Sequence, residues 1–184
     1  MARGAAPRSS GPSCLCSRLS GEFGFLPQPV FERHLPSAEI PLVLNFGAPH
    51  WRQDTAGSHD GARIVGLHDR HQLVRAVGER EFMVVRLTPL GAHHFLRAPM
   101  HAIRGRALEL GALDPKLAGL VTNRMGAARN WDDRFAAMEK LIAERLAQAT
   151  APNDLAWVWG KLEAAAGRLP LGPLVPRSTV ATAP

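Results

Sequence analysis

Apolar and polar positions alternate with a period of two through Glu39 to Gly47, with Ile40, Leu42, Leu44 and Phe46 on one side and Pro41, Val43 and Asn45 on the other. That pattern predicts a strand with one buried face. Pro41 has no N–H to donate, which puts it at a strand start or on an edge. Phe31, Arg33 and Leu35 alternate in a shorter run, and Arg63 to Leu67 and Phe82 to Leu87 read as two more strands, the second bounded by a charged turn at Gly78 to Glu81. The polar stretch from Ala48 to Gly61 reads as a hairpin loop.

From Thr88 the period changes to that of a helix. Thr88 followed by Pro89 is an N-cap with proline at the first helical position, and a short helix should run to about Arg97, where Pro99 stops it. Asp114 and Pro115 repeat the start signal, with Leu117, Leu120 and Val121 behind them. The clearest helix spans Trp131 to Ala149. Asn130 caps it, Asp132 and Asp133 sit where the helix dipole favours them, and Trp131, Phe135, Met138, Leu141, Ile142 and Leu146 form one stripe that reads as core. A last helix starts at Asp154 and ends at Gly167, with Pro170 just beyond. The expected organisation is an α+β domain over 28–167, an antiparallel layer at about 28–87 followed by packed helices at about 88–167, between a disordered tail at 1–27 and a second tail at 168–184.

The chain has 184 residues, 46% hydrophobic and 21% charged, the composition of one globular domain with a short appendage. No apolar run reaches the ~20 residues of a membrane-spanning helix. Two cysteines, Cys14 and Cys16, cannot build a disulfide framework and read as free thiols in the first tail, consistent with a reducing compartment. The first 21 residues are free of acids and contain arginine and serine, like a transit peptide in composition, but they lack an amphipathic period. The formal charge is +6, yet only Lys116, Lys140 and Lys161 are lysines and tyrosine is absent, a bias of GC-rich coding that raises charge without selection for a polyanion.

Phosphate-cradling glycine motifs, H-E-x-x-H and G-x-S-x-G are missing from the sequence, and no pair of acids announces general acid and base roles. His68, His71, His93, His94 and His101 lie close in sequence, and a metal site would need three of them to converge from separate segments. The stretch from Arg86 to Arg106 carries Arg86, Arg97, Arg104 and Arg106 and no acid, but Phe95 is its only aromatic, a poor match to a nucleic-acid surface. Arg86 stands apart: it lies in an apolar strand on the face of Phe82 and Val84. It is either paired to an acid or aimed into a cavity, where a guanidinium would anchor a carboxylate or phosphate.

The run Glu39-Ile-Pro-Leu-Val-Leu-Asn-Phe-Gly47, followed by Val65-Gly-Leu-His-Asp-Arg70 and Val85-Arg-Leu-Thr-Pro-Leu-Gly-Ala92 with Pro99-Met100, resembles the N-terminal sensor region of AraC-type bacterial transcription regulators. Trp131 to Phe135, opening a long helix, and a Trp-bearing helix at Ala156 to Leu162 fit the same order, so the resemblance covers roughly 30–173. It implies a cupin-like sheet, a non-enzymatic role in effector sensing and dimerisation, a cytoplasmic location and no cofactor. Members of that family continue from a Gly-Arg-x-Pro-x-Gly-x-Leu segment into two helix-turn-helix motifs. Here the similarity stops after Gly167-Arg168-Leu-Pro-Leu-Gly-Pro-Leu174, and an aromatic-rich strand is missing before Pro29. The expectation is a regulator truncated before its DNA-binding helices, by a truncated gene, a shifted frame or a trimmed boundary, so that DNA is reached only through a half absent from this chain.

Three site expectations follow. An effector pocket is bordered by Leu42, Leu44, Phe46 and Arg86, the alternative being a closed core with Arg86 paired to an acid. A homodimer forms through Trp157, Ala164 and Ala165, on the side of the last helix opposite Leu155, Val158, Trp159 and Leu162; the alternative is a monomer in which Trp157 covers its own domain. No catalytic or metal residue is assigned, and the rival reading is a small metal-dependent enzyme on the same sheet using the clustered histidines.

Overall fold

The structure, a computed structural model, describes residues 16–47, 50–52, 58–59 and 61–147 and, towards the C-terminus, 157, 159–161, 164–165 and 168. The chain divides into two compact units, Met1–Ala149 and Thr150–Pro184.

Among the described residues the first unit is built on a seven-stranded sheet whose pairings are all antiparallel. Its spine is β6 (Gln72–Leu87). One edge of β6 pairs with β1 (Cys16–His34) along its whole length. The other edge carries β2 (Ile40–Asn45) against Phe82 to Leu87 and the short β3 (His50–Arg52) against Val74 and Arg75. Beyond β2 lie β5 (Ala62–Val65) and β7 (Ala107–Glu109), and beyond β3 lies β4 (Ser58–His59). Helices α1 (Pro89–Leu96), α2 (Leu110–Leu113), α3 (Pro115–Ala127) and α4 (Trp131–Ala147) follow. The α+β class, an antiparallel sheet followed by helices, is thus the architecture of the molecule.

One sheet face supplies Leu19, Ile40, Leu42, Leu44, Met83 and Val85 to a core closed by helical residues, among them Phe95, Leu117, Phe135, Met138 and Leu141. The helix starts are set by the residues that signal them. The Thr88 hydroxyl accepts from the Gly91 N–H at 3.0 Å, Asp114 accepts from Leu117 N–H at 2.9 Å, and Asn130 accepts from Asp133 N–H at 2.8 Å. At the end of α1, Arg97 takes the left-handed conformation at φ 53° and its N–H closes onto the His93 carbonyl. Arg145 of α4 binds three helices together: its Nε donates to the Phe95 carbonyl at 3.0 Å, and a terminal nitrogen lies 2.9 Å from Asp114, the cap of α3.

Several expectations need correction. The segment 1–27 was expected as a disordered tail with no aromatic-rich strand before Pro29, but β1 starts at Cys16 and carries Phe23 and Phe25. Leu19, Gly21 and Phe23 alternate there with Arg18, Ser20 and Glu22, and the period is masked because Gly21 has no side chain. The glycine is required: a Cβ at Gly21 would stand 2.6 Å from the Trp131 ring. Cys16 therefore lies half-buried in β1, and burial, with Glu139 and Glu39 nearby, raises its thiol pKa despite an opposing bond to the Arg18 backbone; Cys14 is outside the described residues.

The expected turn at Gly78 to Glu81 is continuous strand. Its charges are matched by partners, Arg80 with Glu32 and Glu81 with Arg134, and the irregularity is a bulge. The register slips between Leu26 and Val30, where Pro27 and Pro29 cannot donate, opposite Gly78 at φ 81°. Strand β7 falls inside the stretch expected to be helical, because its three residues complete the edge of β5. Within the expected loop at 48–61, β3 and β4 form a short antiparallel pair. In the second unit, Trp157, residues 159–161 and Ala164 are helical, while Asp154, Leu155, Val158, Leu162, Gly167 and Pro170 lie outside the described residues.

Candidate functional site

The sheet has a second face. Along β2 the alternation that sends Leu42 and Leu44 into the core turns Pro41, Val43 and Asn45 the other way. The register pairs Pro41 with Arg86 and Val43 with Val84, so Phe82, Val84 and Arg86 of β6 share that other face. There the sheet lines a cavity of about 820 Å³. Small-molecule sites typically span ~300–1,000 Å³, mostly apolar with a few fixed polar groups. The floor is Val43, Val74, Phe82 and Val84, and Phe25, Val30 and Leu35 stand at the margin, with Phe25 71% and Leu35 72% exposed.

Charge is laid out in two groups. At one end Arg80 lies 2.6 Å from Glu32 and 3.7 Å from Glu22, with its guanidinium 5.1 Å from the centre of the Phe82 ring. Burial pushes the Glu32 carboxyl up, but Arg80, through its hydrogen bond and charge, and His34 beside it outweigh that and hold it below its usual range. At the other end Arg86 lies 3.3 Å from Glu39, the residue before β2, and both side chains are about a third exposed, at 37% and 35%. Among the described residues, five arginines and three glutamates line the cavity, a surplus of two positive charges. His68 also lines it, with the Gln72 amide 2.6 Å from its ring.

Of the four residues expected at a pocket, Arg86 alone is there. Leu42 and Leu44 are fully buried on the helix side of the sheet. Phe46 packs on that side in an aromatic stack, its ring centre 5.9 Å from Trp131, which in turn lies 5.7 Å from Phe135 and 6.4 Å from Phe23. Arg134 sits 4.3 Å over Phe46 and 2.5 Å from Glu81. The expectation of Arg86 paired to an acid and that of Arg86 facing a cavity both describe its position: the ion pair stands at the cavity wall. Reading from sequence missed Arg80, Glu32, Glu39 and Val43. Their signal was the mixed set at alternate positions of β6, Arg80, Phe82, Val84 and Arg86, a face neither uniformly apolar nor uniformly polar.

The clustered histidines are dispersed. His68 borders the cavity, His71 and His101 are exposed, and His93 and His94 lie on α1, on the other side of the sheet, with ring centres 5.5 Å apart. Among the described residues no group of three or more His, Cys, Asp or Glu side chains gathers as a metal-ligand set. Burial first, and His93 second, lower the His94 pKa. Arg97, Arg104 and Arg106 are exposed and lie between β6 and β7 in sequence, whereas Arg86 belongs to the cavity. In the second unit Trp157 is 55% exposed with the Lys161 ammonium 5.8 Å from its ring centre, Ala164 is exposed and Ala165 half-buried.

Fold and face together define an α+β domain with a ligand-sized cavity on the side of an antiparallel sheet opposite helices α1 to α4. Residues 20–109, from β1 to β7, match a domain of unknown function, DUF6597. No curated protein and no solved structure is significantly similar to the chain. No described helix is long and apolar enough to cross a membrane.

Proposed function

We propose that the chain is a non-enzymatic effector-sensing and dimerisation domain of an AraC-type transcription regulator. The observation that carries this reading is the cavity of about 820 Å³ on the sheet face opposite the helices, with an apolar floor and ionic walls. A ligand seated there contacts β1, β2 and β6 at once, and so favours the arrangement of those strands in which all its contacts are made. Population shift of this kind needs only differential affinity for two states. Output to DNA passes through an attached or partner helix-turn-helix unit, and pairing of two copies uses the last helix, where Trp157 and the small Ala164 are both exposed.

The test is a fusion of the whole chain to a heterologous helix-turn-helix domain that represses a reporter only when dimerised. The expected result is repression that requires the chain, is lost in Trp157→Glu, and changes when cells are grown on different carbon sources. A fusion that never represses, or represses equally under every condition and in cavity variants, overturns the reading.

A further inference from the structure

The ion pair at the cavity wall is a weak one. Arg86 and Glu39 are each about a third exposed and 3.3 Å apart, in contrast to Arg80 and Glu32, which are 2.6 Å apart with Arg80 only 15% exposed. Half-exposed pairs contribute little to stability, because water and salt compete for both partners. An incoming carboxylate can therefore take the place of Glu39 on Arg86 at small cost. The arginine gives up one carboxylate for another, and its planar fork suits a bidentate contact.

Next to Arg86 the floor is apolar. Val84 and Val43 are register partners, and Phe82 follows two residues along the same face. An anionic head on Arg86 thus has hydrocarbon and an aromatic ring beneath whatever follows it. The surplus of positive charge among the described lining residues favours an anion over a neutral or cationic guest.

We infer that the cavity takes a small organic carboxylate, whose head group replaces Glu39 on Arg86 and whose apolar body lies along Phe82, Val84 and Val43. This rests on the sensor reading of the same cavity and names its ligand class. It also names a moving part. Glu39 closes the segment Leu35 to Glu39, of which Leu35, Pro36, Ser37 and Glu39 line the cavity. Exchange at Arg86 breaks this contact between the segment and β6, so the competing glutamate couples occupancy to the start of β2.

The probe is 4-phenylbutyrate, with 4-phenylbutyramide as its neutral counterpart and glucose as a neutral polyol, each titrated into the full chain and followed by amide NMR shifts. Expected are shifts of Val43, Val84 and Arg86 with the acid and binding at least about tenfold weaker for the amide. Glu39→Gln should tighten the acid by about two- to fivefold, since the competitor removed is a half-exposed pair. Arg86→Gln should weaken it by about tenfold. Because the two variants move affinity in opposite directions, loss of folding in one cannot imitate the result. Equal binding of acid and amide, or unchanged or weakened binding in Glu39→Gln, overturns the inference. If glucose moves these residues and the acid does not, the ligand class is wrong while the sensor reading stands. If no probe moves them, the inference falls, and the reporter fusion decides the sensor reading independently.

Discussion

Replacing Arg145 with methionine keeps the aliphatic stem in place and deletes only the head that ties α1, α3 and α4 together. Two bonds are lost, to the Phe95 carbonyl at 3.0 Å and to the Asp114 carboxylate at 2.9 Å. The Arg145 and Asp114 side chains are 14% and 22% exposed, so water replaces the guanidinium poorly. Hydrogen bonds to charged groups contribute about 1.5–3 kcal/mol each, and stranding one partner of a buried pair costs about 3–5 kcal/mol. Asp114 keeps its bond to the Leu117 N–H, which places the expected loss near the lower end, about 3 kcal/mol. For a domain of this size that lowers the melting temperature by roughly 6–12 °C. Urea denaturation followed by circular dichroism measures it, with Asp114→Asn and the double variant completing a cycle in which the two losses are less than additive. Acid adds a second readout. Burial raises the Asp114 pKa, but the Leu117 N–H and Arg145 outweigh it and hold the group below its ordinary 3.8. The unfolded chain then binds more protons, so this stability is full above about pH 3.8 and is lost as pH falls through the depressed folded value. Arg145→Met should flatten that limb. A loss under about 1 kcal/mol, the range of an exposed pair, with an unchanged acid limb, would refute the three-helix tie.

The His94 imidazole is held below its ordinary 6.5 by burial and by His93, so the unfolded chain again binds the extra proton. Its contribution is complete above about pH 6.5 and declines as pH drops beneath it; urea midpoints from pH 8 to 5.5 should fall more steeply for wild type than for His94→Gln, and parallel curves would contradict the assignment. Gly21→Val drives carbon into the Trp131 ring, where the first added atom already stands 2.6 Å away, and should cost about 1–3 kcal/mol in thermal melts, with an unchanged melting temperature as the adverse result.

The helices were readable because their signals are local. Thr88, Asp114 and Asn130 each bond an N–H three residues ahead, and Pro89 and Pro115 mark the first turns. The core face of β2 was readable for the same reason. What failed was pairing between distant segments. Parity within β6 groups Arg86 with Phe82 and Val84, and parity within β2 separates Leu42 from Val43, but only the register Pro41 with Arg86 says which sets share a face. The first part of β1 was hidden because Gly21, Gly24, Pro27 and Pro29 dilute its alternation, and because its partners lie far along the chain, Leu87 for Cys16 and Gly78 for Leu26.

The proline-bearing bulge in β1 has a consequence for behaviour in concentrated solution. Among the described residues β1 pairs only with β6 and none covers its outer edge, and Phe23, Phe25, Val30 and Phe31 are all exposed along the strand. A straight apolar edge of that length is a template on which another chain can add a strand, the first step of aggregation. Pro27 and Pro29 remove two donors from the middle of it, and the slip opposite Gly78 bends what remains. Glu32 and Arg33 follow with charge. The irregularity that breaks the ladder thus acts as a guard, keeping an aromatic-rich border from propagating into a larger sheet.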